Sequence, residues 1–165
     1  MEPWRRFNDA STEDARAGLE ACCGSTRWAA RMLARRPFAG RDALLASARD
    51  EWFALDATDW REAFAAHPRI GDRESLAARF PDTHHLAAHE QAGVGGAAED
   101  VLDALAEGNR VYEARFGYIF IVCATGKSAG EMLSLLRARL NNEPSVELRV
   151  AAEEQAKITA LRLLG

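Results

Sequence analysis

The chain contains a single strongly β-like stretch, Phe116-Gly117-Tyr118-Ile119-Phe120-Ile121-Val122-Cys123-Ala124. This stretch is aromatic and β-branched, and Gly117 and Gly126 bound it. Because a strand needs a neighbour to satisfy its backbone hydrogen bonds, one such run cannot form a sheet. The sequence therefore predicts a short buried extended insert near residues 117–125, or the start of a helix there. The backbone donors and acceptors of an extended insert would be available to bind a ligand.

The rest of the sequence is rich in alanine and carries apolar residues at helical spacing. Leu44, Ala48 and Trp52, for example, share one face of a helix that begins near Gly40. A long amphipathic helix is predicted from Ala97 to about Phe116. Helix starts are indicated by polar residues that can cap a first turn, namely Ser11, Ser25, Asp59, Ser128 and Ser145. The pattern predicts an all-α fold, a single-domain helical bundle over residues 1–165 with one extended insert.

Length and composition narrow the class of protein. A chain of 165 residues fits one domain of ordinary size. The net charge of -4 argues against nucleic-acid binding, which usually requires a basic face. The apolar runs are too short to span a membrane, and the N-terminus lacks the apolar region of a signal peptide. Three cysteines, two of them adjacent, form a poor disulfide framework, which favours a reducing, cytoplasmic location.

The helical pattern breaks at His67-Pro68-Arg69-Ile70-Gly71-Asp72-Arg73. Pro68 lacks a backbone donor and disfavours the helical conformation of His67, so the histidine is predicted at a helix exit. An imidazole with an ordinary pKa of about 6.5 can give or take a proton at cellular pH. Glu90, at another predicted helix boundary, is a candidate carboxylate partner for His67. The alternative interpretation is a surface histidine ahead of a turn.

A second group of candidate residues is His84, His85 and His89, with Glu90 beside them. The i,i+4 pair His85 and His89 shares one face of a helix and could hold zinc. Neither HExxH nor HxxEH is present, so a solvent-facing pair is favoured. A metal-dependent hydrolase and a non-catalytic helical binding module stay open as alternatives at this point.

Three blocks, in order along the chain, resemble the OHCU decarboxylase family of urate breakdown. They are His67-Pro68-Arg69-Ile70-Gly71, Glu90-Gln91-Ala92-Gly93, and the run from Phe116 to Ala124 continuing into Gly126-Lys127-Ser128. A weaker block is Arg139-Leu140-Asn141-Asn142 with Glu147. Each block alone has low specificity, but their conjunction covers nearly the whole chain.

The resemblance implies an all-α homodimer that needs no cofactor and no metal. The reaction it implies is decarboxylation of 2-oxo-4-hydroxy-4-carboxy-5-ureidoimidazoline (OHCU) to (S)-allantoin and carbon dioxide. His67 becomes the catalytic acid/base and Glu90 its partner. Where the family often has serine, this chain has Ala87, so a hydroxyl contact is missing or supplied from elsewhere. The implied substrate contacts are the Ala87 position, Pro68, Gln91, Arg162 (with Arg139 as the alternative), and the backbone of Phe120, Ile121, Val122, Cys123 and Ala124.

Overall fold

Helices and their connections make up all the regular structure in the computed structural model, which describes residues 1–68, 73–80 and 92–165. No strand occurs in these ranges, so the predicted all-α class is confirmed. The helices found there are α1 (Pro3–Asp9), α2 (Thr12–Cys22), α3 (Thr26–Ala34), α4 (Arg41–Phe53), α5 (Ala57–Ala65), α6 (Arg73–Arg79), α7 (Ala92–Phe116), α8 (Ala129–Arg139) and α9 (Pro144–Leu164).

Three of the predicted caps start helices as expected. The Ser11 hydroxyl accepts a hydrogen bond from the Asp14 backbone N–H at 3.1 Å. Ser25 caps α3 in the same way. Ser128 forms a full capping box with Glu131, in which each side chain accepts from the backbone N–H of the other residue. These contacts satisfy donors that the first turn of a helix leaves unpaired.

Several helix boundaries differ from the prediction. Helix α1 was not predicted, although Pro3 suits a first helical turn because its fixed φ is already helical. Helix α5 is capped by Asp56, and Asp59 instead donates its backbone N–H to the Asp56 side chain. Helix α7 begins at Ala92, five residues before the predicted start at Ala97.

The chain forms two compact units. The first comprises Met1–His67, Ile121–Cys123 and Leu148–Gly165, and the second comprises Pro68–Phe120 and Ala124–Glu147. The single domain predicted over residues 1–165 stays a prediction.

The core of the first unit is built around buried tryptophans. Trp28 and Trp52 are almost completely buried. Each indole N–H donates to a backbone carbonyl, Trp28 to Ala48 at 3.0 Å and Trp52 to Ala152 at 2.9 Å. A buried indole needs such a partner because an unpaired donor in the core is costly. These bonds fix α3 against α4, and α4 against the part of α9 that belongs to this unit.

In the second unit, α7 ends at Gly117, which adopts φ 84°. This left-handed conformation strongly favours glycine, and it lets the Gly117 N–H donate to the Glu113 carbonyl at 2.8 Å. Residues 117–128 that follow are neither helix nor strand. The predicted extended insert is therefore confirmed. Within the described ranges, none of the helices is both long and apolar enough to cross a membrane.

Candidate active site

His67 lies just beyond the C-terminal end of α5, as the sequence predicts. Ala66 is the C-cap, and the His67 backbone N–H donates to the Phe64 carbonyl at 3.3 Å. Pro68 follows and has no N–H with which to continue the helix. The His67 side chain is half-buried and Pro68 is exposed. The imidazole is therefore held on fixed backbone with part of its surface accessible.

Gly24 contributes to the position of His67 through a close approach of the α2–α3 connection to the end of α5. A Cβ atom placed on Gly24 would lie 2.3 Å from the Cβ of Ala66, which is too close for any side chain. Only glycine fits here without moving the C-cap that precedes His67. The sequence indicates Gly24 simply as the end of a helix, because the contact joins residues 42 positions apart.

The imidazole of His67 is hydrogen-bonded to Gln155 of α9. The two atoms, His67 Nε2 and Gln155 Oε1, are 2.5 Å apart. Gln155 is fully buried, and its Nε2 donates to Thr159 Oγ1 at 3.1 Å. Sequence reasoning missed Gln155. The available signal was a glutamine and a threonine at i,i+4 on a helix face whose other members, Ala151, Ala152 and Leu163, are apolar and buried.

Arg162 follows Gln155 by seven residues, which places it on the same side of α9, two turns further along. Its side chain is exposed. Burial raises the pKa of the Cys22 thiol, and the nearby Arg162 charge opposes that rise. A guanidinium on the Gln155 side of the helix, open to solvent, can receive an anionic ligand.

The extended segment keeps fewer backbone groups available than predicted. Ile121, Val122 and Cys123 are buried, and the Cys123 N–H donates to Glu154 Oε1 at 3.0 Å. The prediction that these donors are unpaired is therefore wrong for Cys123, because a buried N–H finds a partner within the protein. The Ala124 carbonyl accepts from Lys127 at 3.0 Å and keeps one further lone pair.

Phe120 lies against a buried charged cluster in the second unit. The Arg139 guanidinium sits 4.5 Å from the centroid of the Phe120 ring, and the Tyr112 ring centroid is 5.2 Å away. Arg139 Nε donates to Glu147 Oε2 at 2.8 Å, and the Tyr112 hydroxyl donates to the same carboxylate. Burial, reinforced by Glu147, raises the pKa of Tyr112, so this phenol remains a neutral donor.

The structure thus separates the two candidate arginines. Arg139 is 7% exposed and already paired with Glu147, which is fully buried. Arg162 is exposed to solvent. Of the two, only Arg162, the first choice from the sequence, presents its side chain to solvent.

The predicted site residues fall into three groups. His67, Ile121, Val122, Cys123 and Arg162 belong to the first unit. Pro68, Phe120 and Ala124 belong to the second. The remaining predictions lie outside the described residues: Ala87, Glu90, Gln91, and the three histidines His84, His85 and His89.

The described part of the chain does not bring together side chains that could bind a metal ion. No group of three or more His, Cys, Asp or Glu residues is arranged there to hold an ion. Cys22, Cys23 and Cys123 are buried and form no disulfide, as their spacing predicts.

Known proteins resemble this chain over most of its length. The uric acid degradation bifunctional protein TTL of Arabidopsis thaliana is 40% identical over 145 residues, which cover 87% of this chain and 44% of that protein. This chain thus spans less than half of that relative. The 2-oxo-4-hydroxy-4-carboxy-5-ureidoimidazoline decarboxylase of Amia calva is 33% identical, with 82% of this chain and 77% of the relative covered.

A solved structure, an OHCU decarboxylase crystallised in the presence of (S)-allantoin, is 39% identical to this chain. It aligns with a TM-score of 0.69 over 93% of this chain and 96% of the other. A family model described as OHCU decarboxylase matches residues 8–164. The match includes His67 and the extended segment, and the resemblance seen in the sequence is confirmed. The chain belongs to the OHCU decarboxylase family.

Proposed function

We propose that this chain converts OHCU to (S)-allantoin and carbon dioxide without a cofactor. The observation that carries the proposal is the family match over residues 8–164. The relative from Amia calva bears the name of this decarboxylase, and the similar solved structure was obtained with (S)-allantoin. The substrate and the handedness of the product come from these proteins.

The chemistry of the substrate explains why no cofactor is required. The carbon that loses carbon dioxide carries a hydroxyl and adjoins a carbon–nitrogen double bond. When the carbon–carboxylate bond breaks, its electron pair forms a carbon–carbon double bond, and the former C=N pair moves to nitrogen, which takes a proton. The hydroxyl then loses its proton to become the carbonyl of allantoin, and the neighbouring carbon gains a proton on one face. The net change is loss of carbon dioxide and uptake of one proton by the carboxylate form.

His67 is the residue proposed to move these protons. An imidazole can accept the hydroxyl proton and return a proton to carbon near neutral pH, a role worth about 10²–10⁴-fold in rate. Its place after α5, its hydrogen bond to Gln155 and its partial exposure support this assignment. Glu90 is proposed as its carboxylate partner and Gln91 as a substrate contact.

Arg162 is proposed to bind the carboxylate or the ureido group of the substrate. Its exposure, and its place on the same side of α9 as Gln155, support this role. Pro68, the Ala87 position and the backbone from Phe120 to Ala124 complete the proposed site. The Cys123 N–H is the exception, because it already donates to Glu154.

The proposed setting of the reaction is a homodimer in the cytoplasm that acts on a small molecule, with neither nucleic acid nor membrane as a partner. Sedimentation analysis of the purified protein tests the dimer. A monomer at all concentrations would contradict that part of the proposal.

The function is tested by the handedness of the product. Because OHCU decays spontaneously to racemic allantoin, substrate loss alone is ambiguous. We expect purified protein, mixed with freshly generated substrate, to give a rapid circular dichroism signal of (S)-allantoin that EDTA does not reduce. Racemic product at the uncatalysed rate would contradict the proposal, and EDTA-sensitive turnover would favour a metal-dependent reaction instead.

A further inference from the structure

A chain of polar side chains links His67 to the interior of the first unit. His67 Nε2 meets Gln155 Oε1 at 2.5 Å, and Gln155 Nε2 meets Thr159 Oγ1 at 3.1 Å. The Thr159 side chain lies beside the sulfur of Cys23. Gln155, Thr159 and Cys23 are all buried. A glutamine in such a place must have its amide satisfied at both ends.

Cys23, at the inner end of this chain, is uncharged. Burial raises the pKa of its thiol to about 11, so the sulfur stays neutral. The Thr159 oxygen accepts the hydrogen bond that the Gln155 amide NH₂ group donates.

The two hydrogen bonds of Gln155 define the orientation of its amide. Its NH₂ group faces Thr159, so its carbonyl oxygen faces His67. A carbonyl oxygen can only accept, so the imidazole must carry a proton on Nε2.

We propose that Gln155 is a positioning residue that holds the catalytic imidazole of His67 in the tautomer with its proton on Nε2. This inference rests on the proposed function, in which His67 is the acid/base. Because the amide is neutral, Gln155 orients the ring without adding a negative charge of its own.

The tautomer is measured directly by NMR of the ring nitrogens. The protein has four histidines, and the spectrum of the His67→Asn variant assigns the His67 signals by their loss. For neutral His67 we expect a protonated Nε2 whose hydrogen is protected from solvent exchange, and a loss of that protection in Gln155→Leu. A neutral ring protonated on Nδ1 in the wild-type protein would overturn the inference.

Kinetics test whether the contact matters for turnover. We expect Gln155→Leu to lower kcat by about 10-fold to 100-fold, because the His67 ring loses its orientation. KM should change by less than about 2-fold, because Gln155 does not bind the substrate. Gln155→Glu keeps an acceptor oxygen but adds a negative charge, so it should restore the protected Nε2 proton in the NMR spectrum without restoring the wild-type kcat. Leu163→Ala, also fully buried on α9, is the matched packing control and should keep the wild-type kcat in the folded protein.

The outcomes separate this inference from the proposed function. If His67→Asn retains wild-type turnover, the catalytic role of His67 is wrong, while the NMR result still decides the tautomer. If His67→Asn is inactive but Gln155→Leu retains the wild-type kcat, the proposed function stands and the positioning role is wrong. Equal loss of kcat in Gln155→Leu and Leu163→Ala would reduce Gln155 to a packing residue and also overturn the inference.

Discussion

Each of the two compact units buries a polar cluster, and the two clusters differ in charge. In the first unit, a row of buried side chains leads inward from His67. Its members, Gln155, Thr159 and Cys23, are uncharged at neutral pH. In the second unit, Arg139 and Glu147 form a buried ion pair. The contrast indicates different roles. Neutral side chains can fix which nitrogen of His67 carries the proton without burying a charge, whereas removing one partner of a buried ion pair strongly destabilises the fold.

The charged cluster also explains how Phe120 is held. Phe120 lies under the Arg139 guanidinium and beside the Tyr112 ring, and both of these residues are fixed by Glu147. We therefore expect variants of the charged cluster to change the stability of the protein first. Variants of the neutral chain should change catalysis.

The largest effect is expected from removing one charge of the ion pair. Glu147→Leu leaves the Arg139 guanidinium buried without its partner, which should lower the free energy of unfolding by about 3–5 kcal/mol. Urea denaturation measures this loss. Adding Arg139→Met and Tyr112→Phe removes the stranded donors and should recover most of it. A loss below about 1 kcal/mol for Glu147→Leu would mean that the cluster is not an important source of stability.

The buried, neutral thiol of Cys23 should react slowly with alkylating reagents. A rise in the pKa of Cys23 from 9.0 to about 11 lowers its thiolate fraction at pH 8 by about 100-fold. Burial slows access to the sulfur further. We expect mass spectrometry to show that iodoacetamide modifies Cys23 slowly in the folded protein and quickly in urea. Equally fast modification in both states would contradict the neutral, buried thiol.

Arg162 should affect substrate binding and leave stability almost unchanged. Loss of a charged hydrogen bond to the substrate, worth about 1.5–3 kcal/mol, predicts a rise in KM of about 10-fold to 100-fold for Arg162→Gln. Initial rates over a range of substrate concentrations measure it. Arg137→Gln, at an exposed arginine of α8, is the matched control and should keep the wild-type KM. An equal KM for both variants would remove Arg162 from the site.

The smallest effect is expected where the buried Glu51 carboxylate pairs with two half-exposed arginines, Arg31 and Arg35, and this site serves as a reference for the fully buried ion pair. Hydrogen bonds from Arg31 and Arg35 hold the pKa of Glu51 below its ordinary value. The stabilisation is therefore present above the ordinary carboxyl pKa and is lost as the pH falls through the lowered value of the folded state.

Because the two arginines are 47% and 42% exposed, this contribution is about 1 kcal/mol or less. Urea denaturation at neutral and acid pH should show a smaller acid-induced loss of stability in Glu51→Gln than in the wild-type protein. The same pH dependence in both proteins would mean that the pair contributes nothing.

The features that depend on local sequence were predictable. Ser11, Ser25 and Ser128 cap helices because a hydroxyl three residues ahead of a free N–H is a short-range contact. The all-α fold and the OHCU decarboxylase family were also predicted, and they are confirmed. His67 lies at the predicted helix exit because Pro68 dictates it locally.

The features that depend on long-range packing were not predictable. Gln155 meets His67 across 88 positions of sequence, and Gly24 approaches Ala66 across 42. The sequence marks Gln155 only as a polar residue on an apolar helix face and Gly24 only as the end of a helix, so it does not identify their partners. The availability of the Cys123 N–H was misjudged for the same reason, since its acceptor Glu154 lies on a distant helix. Periodicity identifies buried positions but does not identify the residues that contact them.

The central claim, that His67 moves the protons in this reaction, is tested most directly by the handedness of allantoin formed by wild-type protein and by His67→Asn, measured side by side by circular dichroism. Thermal unfolding of both proteins first establishes that the variant is folded. We predict (S)-allantoin from the wild-type protein and racemic allantoin at the uncatalysed rate from the variant. Formation of (S)-allantoin by His67→Asn at the wild-type rate would contradict the claim.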